Sequence, residues 1–151
     1  MNTVLERSAL VTKNQVRPAS PTTAMGREGL GTGRIRVDSG WAKILASVEA
    51  MRNLTDDWDG DGATAPRAGV IETARELLGY LRAIPLPCPM TTGTGPTGSI
   101  LLAWERSGRY FEIEIVAPGQ AEWFRSAPGA PPAGGATIDR SIRALFEWSR
   151  A

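Results

Sequence analysis

Apolar residues recur at helical spacing in two stretches of the first half of the chain. The first stretch follows Asp38 and Ser39, which are suitable N-cap residues. Its apolar positions are Trp41, Ile44, Leu45, Val48 and Met51. The second stretch opens at Pro66, a residue tolerated in a first helical turn, and ends before Pro85. Its apolar positions are Val70, Ile71, Ala74, Leu77, Leu78 and Leu81. Two N-terminal helices are therefore predicted.

Alternating apolar and polar residues replace this spacing after the Gly-rich segment 93–98. Three short runs with this alternation predict strands. The residues between them agree, since Ser107-Gly108 suits a two-residue hairpin loop and Pro118-Gly119 suits a type II turn. A short strand is expected near 90–92, and a Gly/Pro/Ala-rich linker over 127–136 precedes a final helical pattern. The predicted fold class is α+β, with two N-terminal helices, a three- to four-stranded antiparallel meander and a C-terminal helix.

Residues 1–36 show no sustained period and are rich in Ser, Thr, Gly and Arg. They carry six Lys or Arg against two Glu, whereas residues 37–151 carry eleven against fourteen acids. The sequence predicts a disordered basic tail over 1–36 and a single α+β domain over 37–151. Because that domain is mildly acidic, nucleic acid is an unlikely partner for it.

Carboxylates occupy the polar positions of the predicted strands and should share the outer face of the sheet. This possible partner face consists of Tyr110, Glu112, Glu114, Glu122 and Phe124, with Glu105 beside it. An acidic face with exposed aromatic rings suits a basic protein partner. The basic tail, residues 1–36, is a second candidate surface for contact with another protein.

Residues 54–66 form an Asp-rich loop between the two predicted helices. Asp57, Asp59 and Asp61 match the opening of an EF-hand calcium loop, in which alternate side chains reach one ion. The match is incomplete, since the twelfth position holds Ala68 where a bidentate Glu should close the site. A calcium or magnesium site at these three carboxylates is one hypothesis.

A structural corner is the other hypothesis for this loop. Trp58 is expected to insert beneath the sheet or between the helices, while Gly60 and Gly62 supply backbone angles closed to other residues. Asp61 or Thr64 is then expected to cap the second helix. No cofactor is required on this interpretation.

The chain contains no histidine and a single cysteine, Cys88. Triads that need imidazole and His-containing zinc sites are therefore excluded, and the sequence favours a protein that is not an enzyme. One cysteine allows no internal disulfide, which is typical of a reducing, cytoplasmic protein. No apolar run is long enough to span a bilayer, so no membrane partner is expected.

The segment Trp58-Asp-Gly-Asp-Gly-Ala63 is followed by a Pro-initiated helix, a Pro-rich extended segment, a Gly-rich loop and a strand ending in Trp104-Glu105. Over roughly residues 40–125 the chain resembles a group of small, largely uncharacterised bacterial proteins with a Trp-Asp-Gly-x-Gly-Ala core. The resemblance implies a bacterial, cytoplasmic accessory protein. It brings no catalytic residue or cofactor.

Two functional hypotheses follow. The first is a non-enzymatic protein-interaction or accessory module, such as the neutralising or accessory member of a bacterial two-gene locus of the defence or toxin–antitoxin type. The alternative is a divalent-cation binding protein centred on the loop from Asp57 to Gly62. An acidic or apolar patch around Tyr110 and Phe124 would favour the first, and converging carboxylate oxygens would favour the second.

Overall fold

The computed structural model describes residues 32–136 and 138–150 of this chain. They form an α+β fold in which five antiparallel strands follow one another across a single sheet in the order of the chain. A short 3-10 turn, Met51–Asn53, follows the first helix. The elements are α1 (Thr32–Ala50), α2 (Ala68–Ala83), β1 (Thr91–Thr94), β2 (Ile100–Arg106), β3 (Arg109–Ala117), β4 (Gln120–Ala127), β5 (Ala130–Ala136) and α3 (Ile138–Arg150).

The core lies between the helices and one face of the sheet, here called the inner face. Alternation along β2 and β3 sends large apolar side chains to this face, where they are almost fully buried. Phe111 occupies its centre: its ring centroid lies 5.9 Å from those of Trp104, Trp123 and Trp148. Trp148 belongs to α3, so this aromatic cluster joins the C-terminal helix to the sheet.

The first helix begins earlier than the sequence predicts. It starts at Thr32, so Asp38 and Ser39 lie inside it and do not cap it. The described helix therefore includes residues 32–36, which the sequence analysis assigned to the tail, and the boundary between tail and domain stays a prediction. The rest of the predicted tail, residues 1–31, lies outside the described residues.

The second helix begins later than predicted, at Ala68, with Arg67 as its N-cap. No side chain donates or accepts a capping hydrogen bond there, so the expected capping by Asp61 or Thr64 is wrong. Pro66 is buried just ahead of the helix. The helix ends at Ala83, and the prediction that it stops before Pro85 is confirmed.

Residues predicted as a linker, 127–136, contribute the fifth strand. The β4–β5 turn repeats the chemistry of the β3–β4 turn, since Gly129 has a φ of 73° and Gly119 a φ of 70°, each after a proline. Gly135 is needed where it stands, because a Cβ there would lie 2.8 Å from Nε1 of Trp123. The strand forms one edge of the sheet and contains Pro131 and Pro132.

The predicted hairpin at Ser107-Gly108 is confirmed. Both residues have positive φ, 52° and 73°, and Arg106 pairs directly with Arg109 across the turn. The described helices include none that is long and apolar enough to cross a membrane.

Candidate functional site

The outer face of the sheet carries the acidic residues that the sequence analysis grouped together. Strand register aligns them in three rows across β2, β3 and β4. The rows are Glu105–Tyr110–Ser126, Ala103–Glu112–Phe124 and Leu101–Glu114–Glu122. The predicted alternation is therefore confirmed, and Tyr110, Glu112, Glu114, Glu122 and Phe124 share one face, which we call the acidic face together with Glu105.

Hydrogen bonds order part of the acidic face. The Tyr110 hydroxyl donates to Oε2 of Glu112 at 2.5 Å, and the Ser99 hydroxyl donates to Oε1 of Glu114 at 2.6 Å. Burial, together with the Glu112 hydrogen bond, raises the pKa of Tyr110 well above its usual value, so its hydroxyl remains a donor at neutral pH. Glu105 and Glu122 are exposed to solvent.

Aromatic rings lie among these carboxylates. The centroids of Tyr110 and Phe124 are 6.5 Å apart with their planes tilted by 54°, and Phe124 is 38% exposed. Its neighbour Trp123 points to the inner face and stacks on Phe111. The structure thus separates two adjacent aromatic residues, one for the core and one for solvent.

Positive charge is kept off the acidic face by strand alternation. Among the described strand residues, Arg106, Arg109 and Arg125 occupy inner-face positions of the register. The Arg109 guanidinium donates to the Trp148 carbonyl oxygen and lies 5.5 Å from the centre of its ring. Arg125 lies over the Trp123 ring at 5.8 Å. The outer-face positions of β2, β3 and β4 carry four glutamates and no described lysine or arginine, so the face has one sign of charge.

The Asp-rich loop uses its carboxylates differently. Asp59 Oδ1 accepts hydrogen bonds from the backbone amides of Asp61 and Ala63, at 3.0 and 3.1 Å. Asp57 Oδ1 accepts from the Gly62 amide at 2.8 Å. These bonds satisfy amides that a tight turn leaves without ladder partners.

A third aspartate fixes the exit of the loop. Asp56 Oδ1 accepts from the Ala65 amide at 2.9 Å. The two amide bonds to Asp59 hold the pKa of that carboxyl below its usual value, because they stabilise the charged form. The described residues contain no cluster of three or more acidic or other ligating side chains that could hold a metal ion.

The corner hypothesis for this loop is right for the glycines and wrong for the tryptophan. Gly60 and Gly62 have φ of 78° and 84°, and Asp57 shares this left-handed region with a φ of 68°. Trp58 does not insert into the core, however, since it is 37% exposed. It lies in a turn that is closed by a hydrogen bond from the Gly60 amide to the Asp57 carbonyl oxygen.

The sequence did not reveal that the Asp-rich loop contacts the β1–β2 loop. The Thr64 amide donates to the Pro96 carbonyl in the β1–β2 loop at 2.9 Å. Gly98 approaches so closely that a Cβ there would lie 2.9 Å from the Ala65 carbonyl oxygen. The glycine-rich segment 93–98 was the available signal, because close backbone approach is one use of glycine.

Two open grooves lie on the helical side of the molecule and at one end of the sheet. The first, of about 390 Å³, lies between α2 and α3 and has Leu77, Tyr80 and Ile142 in its walls. The second, of about 360 Å³, is lined by Pro87, Cys88 and residues around Trp148. Burial raises the pKa of the Cys88 thiol, which disfavours a reactive thiolate.

Comparisons with known proteins assign no relative to this chain. No protein-family model matches it, and neither the curated proteins nor the solved structures contain a match.

Proposed function

We propose that this protein is a non-enzymatic interaction module that binds a basic surface of another protein through its acidic face. The observation that carries the proposal is the uniform charge of that face: four glutamates, two of them exposed, surround the Tyr110–Phe124 pair. Surfaces with one sign of charge steer and select partners of the opposite sign.

The acidic face is also suited to binding by its rigidity. Its side chains project from three central strands, and Glu112 and Glu114 are held by hydrogen bonds to Tyr110 and Ser99. Ordering these side chains on binding therefore costs less conformational entropy than ordering free glutamates would. Aromatic residues that are exposed at the centre of such a face are frequent binding hot spots.

Within the cell, we propose an accessory or neutralising role. The sequence resemblance to small bacterial proteins with a Trp-Asp-Gly-x-Gly-Ala core supports a bacterial, cytoplasmic setting, and an acidic face is suited to covering a basic active surface. The neutralised partner on this proposal is a protein with a cluster of arginine and lysine residues at its working surface.

A charge-matched pair of variants tests the proposal with the full chain. The face variant carries Glu112→Gln, Glu114→Gln and Glu122→Gln. The helix variant carries Glu76→Gln, Asp139→Asn and Glu147→Gln, three exposed positions on α2 and α3. Both lose three negative charges, and the glutamines at Glu112 and Glu114 keep an oxygen that can accept the existing hydrogen bonds.

The measurement is fluorescence anisotropy of a labelled hexa-lysine peptide at low salt. The face variant should bind the peptide about tenfold more weakly than the unaltered protein, because three adjacent charges are lost. The helix variant should bind nearly as the unaltered protein does, and added salt should weaken binding in both. Equal losses in the two variants would show that only net charge matters and would refute the proposal.

A further inference from the structure

One row of residues across the sheet has an unusual make-up. From β1 to β5 it consists of Thr91, Ala103, Glu112, Phe124 and Gly134. The two large members, Glu112 and Phe124, are neighbours and lie between the small residues Ala103 and Gly134. Gly134 cannot be replaced cheaply, since a Cβ there would lie 2.8 Å from the Trp123 carbonyl oxygen. The β5 side of the Phe124 ring is therefore kept free of a cross-strand side chain.

Tyr110 completes this arrangement. Its ring lies 6.5 Å from Phe124, and its hydroxyl is directed to Oε2 of Glu112. This hydrogen bond is made to Oε2, and Oε1 of the same carboxylate is a second acceptor atom. Two aromatic rings thus stand beside a carboxylate, and we call Tyr110, Glu112 and Phe124 the aromatic clasp.

We propose that the aromatic clasp binds the side chain of an arginine presented by the basic partner, an inference that rests on the proposed function. Aromatic faces carry negative charge density and attract a cation placed over them. Glu112 adds a charged acceptor next to the rings. A guanidinium lying over Phe124 could therefore donate to Oε1 while its flat face contacts the ring.

Arginine fits this site better than lysine for two reasons. Its guanidinium is planar and weakly hydrated, so it stacks on a ring at a smaller desolvation cost than an ammonium ion. Its several N–H groups can contact Glu112 and the exposed Glu105, which lies opposite Tyr110, at the same time. Lysine offers instead a compact, strongly hydrated ammonium group, which cannot stack flat on the ring.

A peptide comparison tests this inference on the full chain. Labelled hexa-arginine and hexa-lysine peptides are titrated against the unaltered protein, Phe124→Leu and Tyr80→Leu. Tyr80 is the matched control, because it is an aromatic residue of α2 that is 54% exposed and lies outside the acidic face. We expect the unaltered protein to prefer hexa-arginine by about threefold, a typical effect of an exposed cation–π contact.

Phe124→Leu should remove this preference, and Tyr80→Leu should retain it. If both peptides bind equally to the unaltered protein while the face variant still loses binding, the clasp is refuted and the proposed function stands. If neither peptide binds, both proposals fail. Loss of the preference in Tyr80→Leu would place the arginine elsewhere and would also refute the clasp. Thermal melting of the two leucine variants checks that both remain folded.

Discussion

The Asp-rich loop and the acidic face contain similar numbers of carboxylates and use them in opposite ways. In the loop, Asp57 and Asp59 accept hydrogen bonds from backbone amides within a few residues. On the face, Glu105 and Glu122 are exposed to solvent. Asp57 and Asp59 therefore hold the loop in shape, whereas the carboxylates of Glu105 and Glu122 reach solvent.

Secondary structure explains the difference. In a turn, amides have no ladder partners, so a short side chain two to five residues away can accept their hydrogen bonds. In a central strand, the amides are already paired with neighbouring strands. A glutamate there must find another side chain, as Glu114 does with Ser99, or remain in water. Counting acids in a sequence therefore does not reveal which of them can bind.

Among the variants, Asp57→Val should have the largest effect on stability, and it tests whether the carboxylates of the loop stabilise the fold. Valine at a φ of 68° is strained because of its branched Cβ, and it cannot accept the Gly62 amide. We expect a loss of about 2 kcal/mol in the free energy of unfolding, measured by urea denaturation. Asp57→Asn is the control, since asparagine tolerates this backbone region and keeps an acceptor oxygen. An Asp57→Val protein as stable as Asp57→Asn would show that the loop is not structural.

Acid should weaken the loop through Asp59. The pKa of this carboxyl is lowered on folding by its amide hydrogen bonds, so its contribution is present above the unfolded pKa, about 4, and is lost as pH falls through the folded value. Asp59→Asn should therefore be less stable than the unaltered protein at pH 7, and this difference should shrink below about pH 4.

Comparing the unaltered protein with Asp59→Asn separates the titration of Asp59 from that of Glu72. The pKa of Glu72 is also lowered, chiefly by its hydrogen bond from Arg52, and it titrates in both proteins. Urea midpoints between pH 3 and pH 7 provide the measurement. A stability difference that stays constant through acid would show that the charge of Asp59 is not what the amides stabilise.

Neutralising the acidic face should change stability little. Glu114 and Glu122 lie directly opposite one another, an arrangement that repels when both are charged. The face variant should therefore melt at the same temperature as the unaltered protein or slightly higher, with less than about 0.5 kcal/mol of change per substitution. A large drop in its melting temperature would mean that these glutamates, like the aspartates of the loop, serve the fold.

The smallest effect is expected from divalent cations. Each of Asp56, Asp57 and Asp59 has an oxygen turned towards a backbone amide. Calcium, magnesium or a chelator should then leave the melting temperature unchanged. A cation present at a hundred times its Kd would add about 2.7 kcal/mol of stability. A clear upward shift with calcium would revive the cation-binding alternative for this loop.

Local patterns in the sequence predicted the middle of the fold well. Alternation in β2 and β3 identified both faces of the sheet, and Ser107-Gly108 and Pro118-Gly119 identified two turns that the structure contains. These signals are local, since a strand's side chains point alternately to its two faces and a turn needs particular backbone angles.

Features that depend on distant neighbours were missed. The strand β5 consists of Ala, Pro and Gly, which have low strand propensity, and it forms because β4 supplies hydrogen bonds and Trp123 needs a small residue beside it. The exposed position of Trp58 was missed for a similar reason. The large apolar ring of Trp58 suggested that it anchors the loop in the core. The loop is anchored instead by backbone contacts with Pro96 and Gly98.

The composition of β5 bears on whether molecules of this protein join edge to edge at high concentration. Pro131 and Pro132 give this edge of the sheet two successive residues without an amide hydrogen. Such an edge is a poor template for adding a strand from another molecule. Crowded preparations should accordingly resist growth into amyloid-like filaments from this side, and replacing both prolines with valine should make seeding easier.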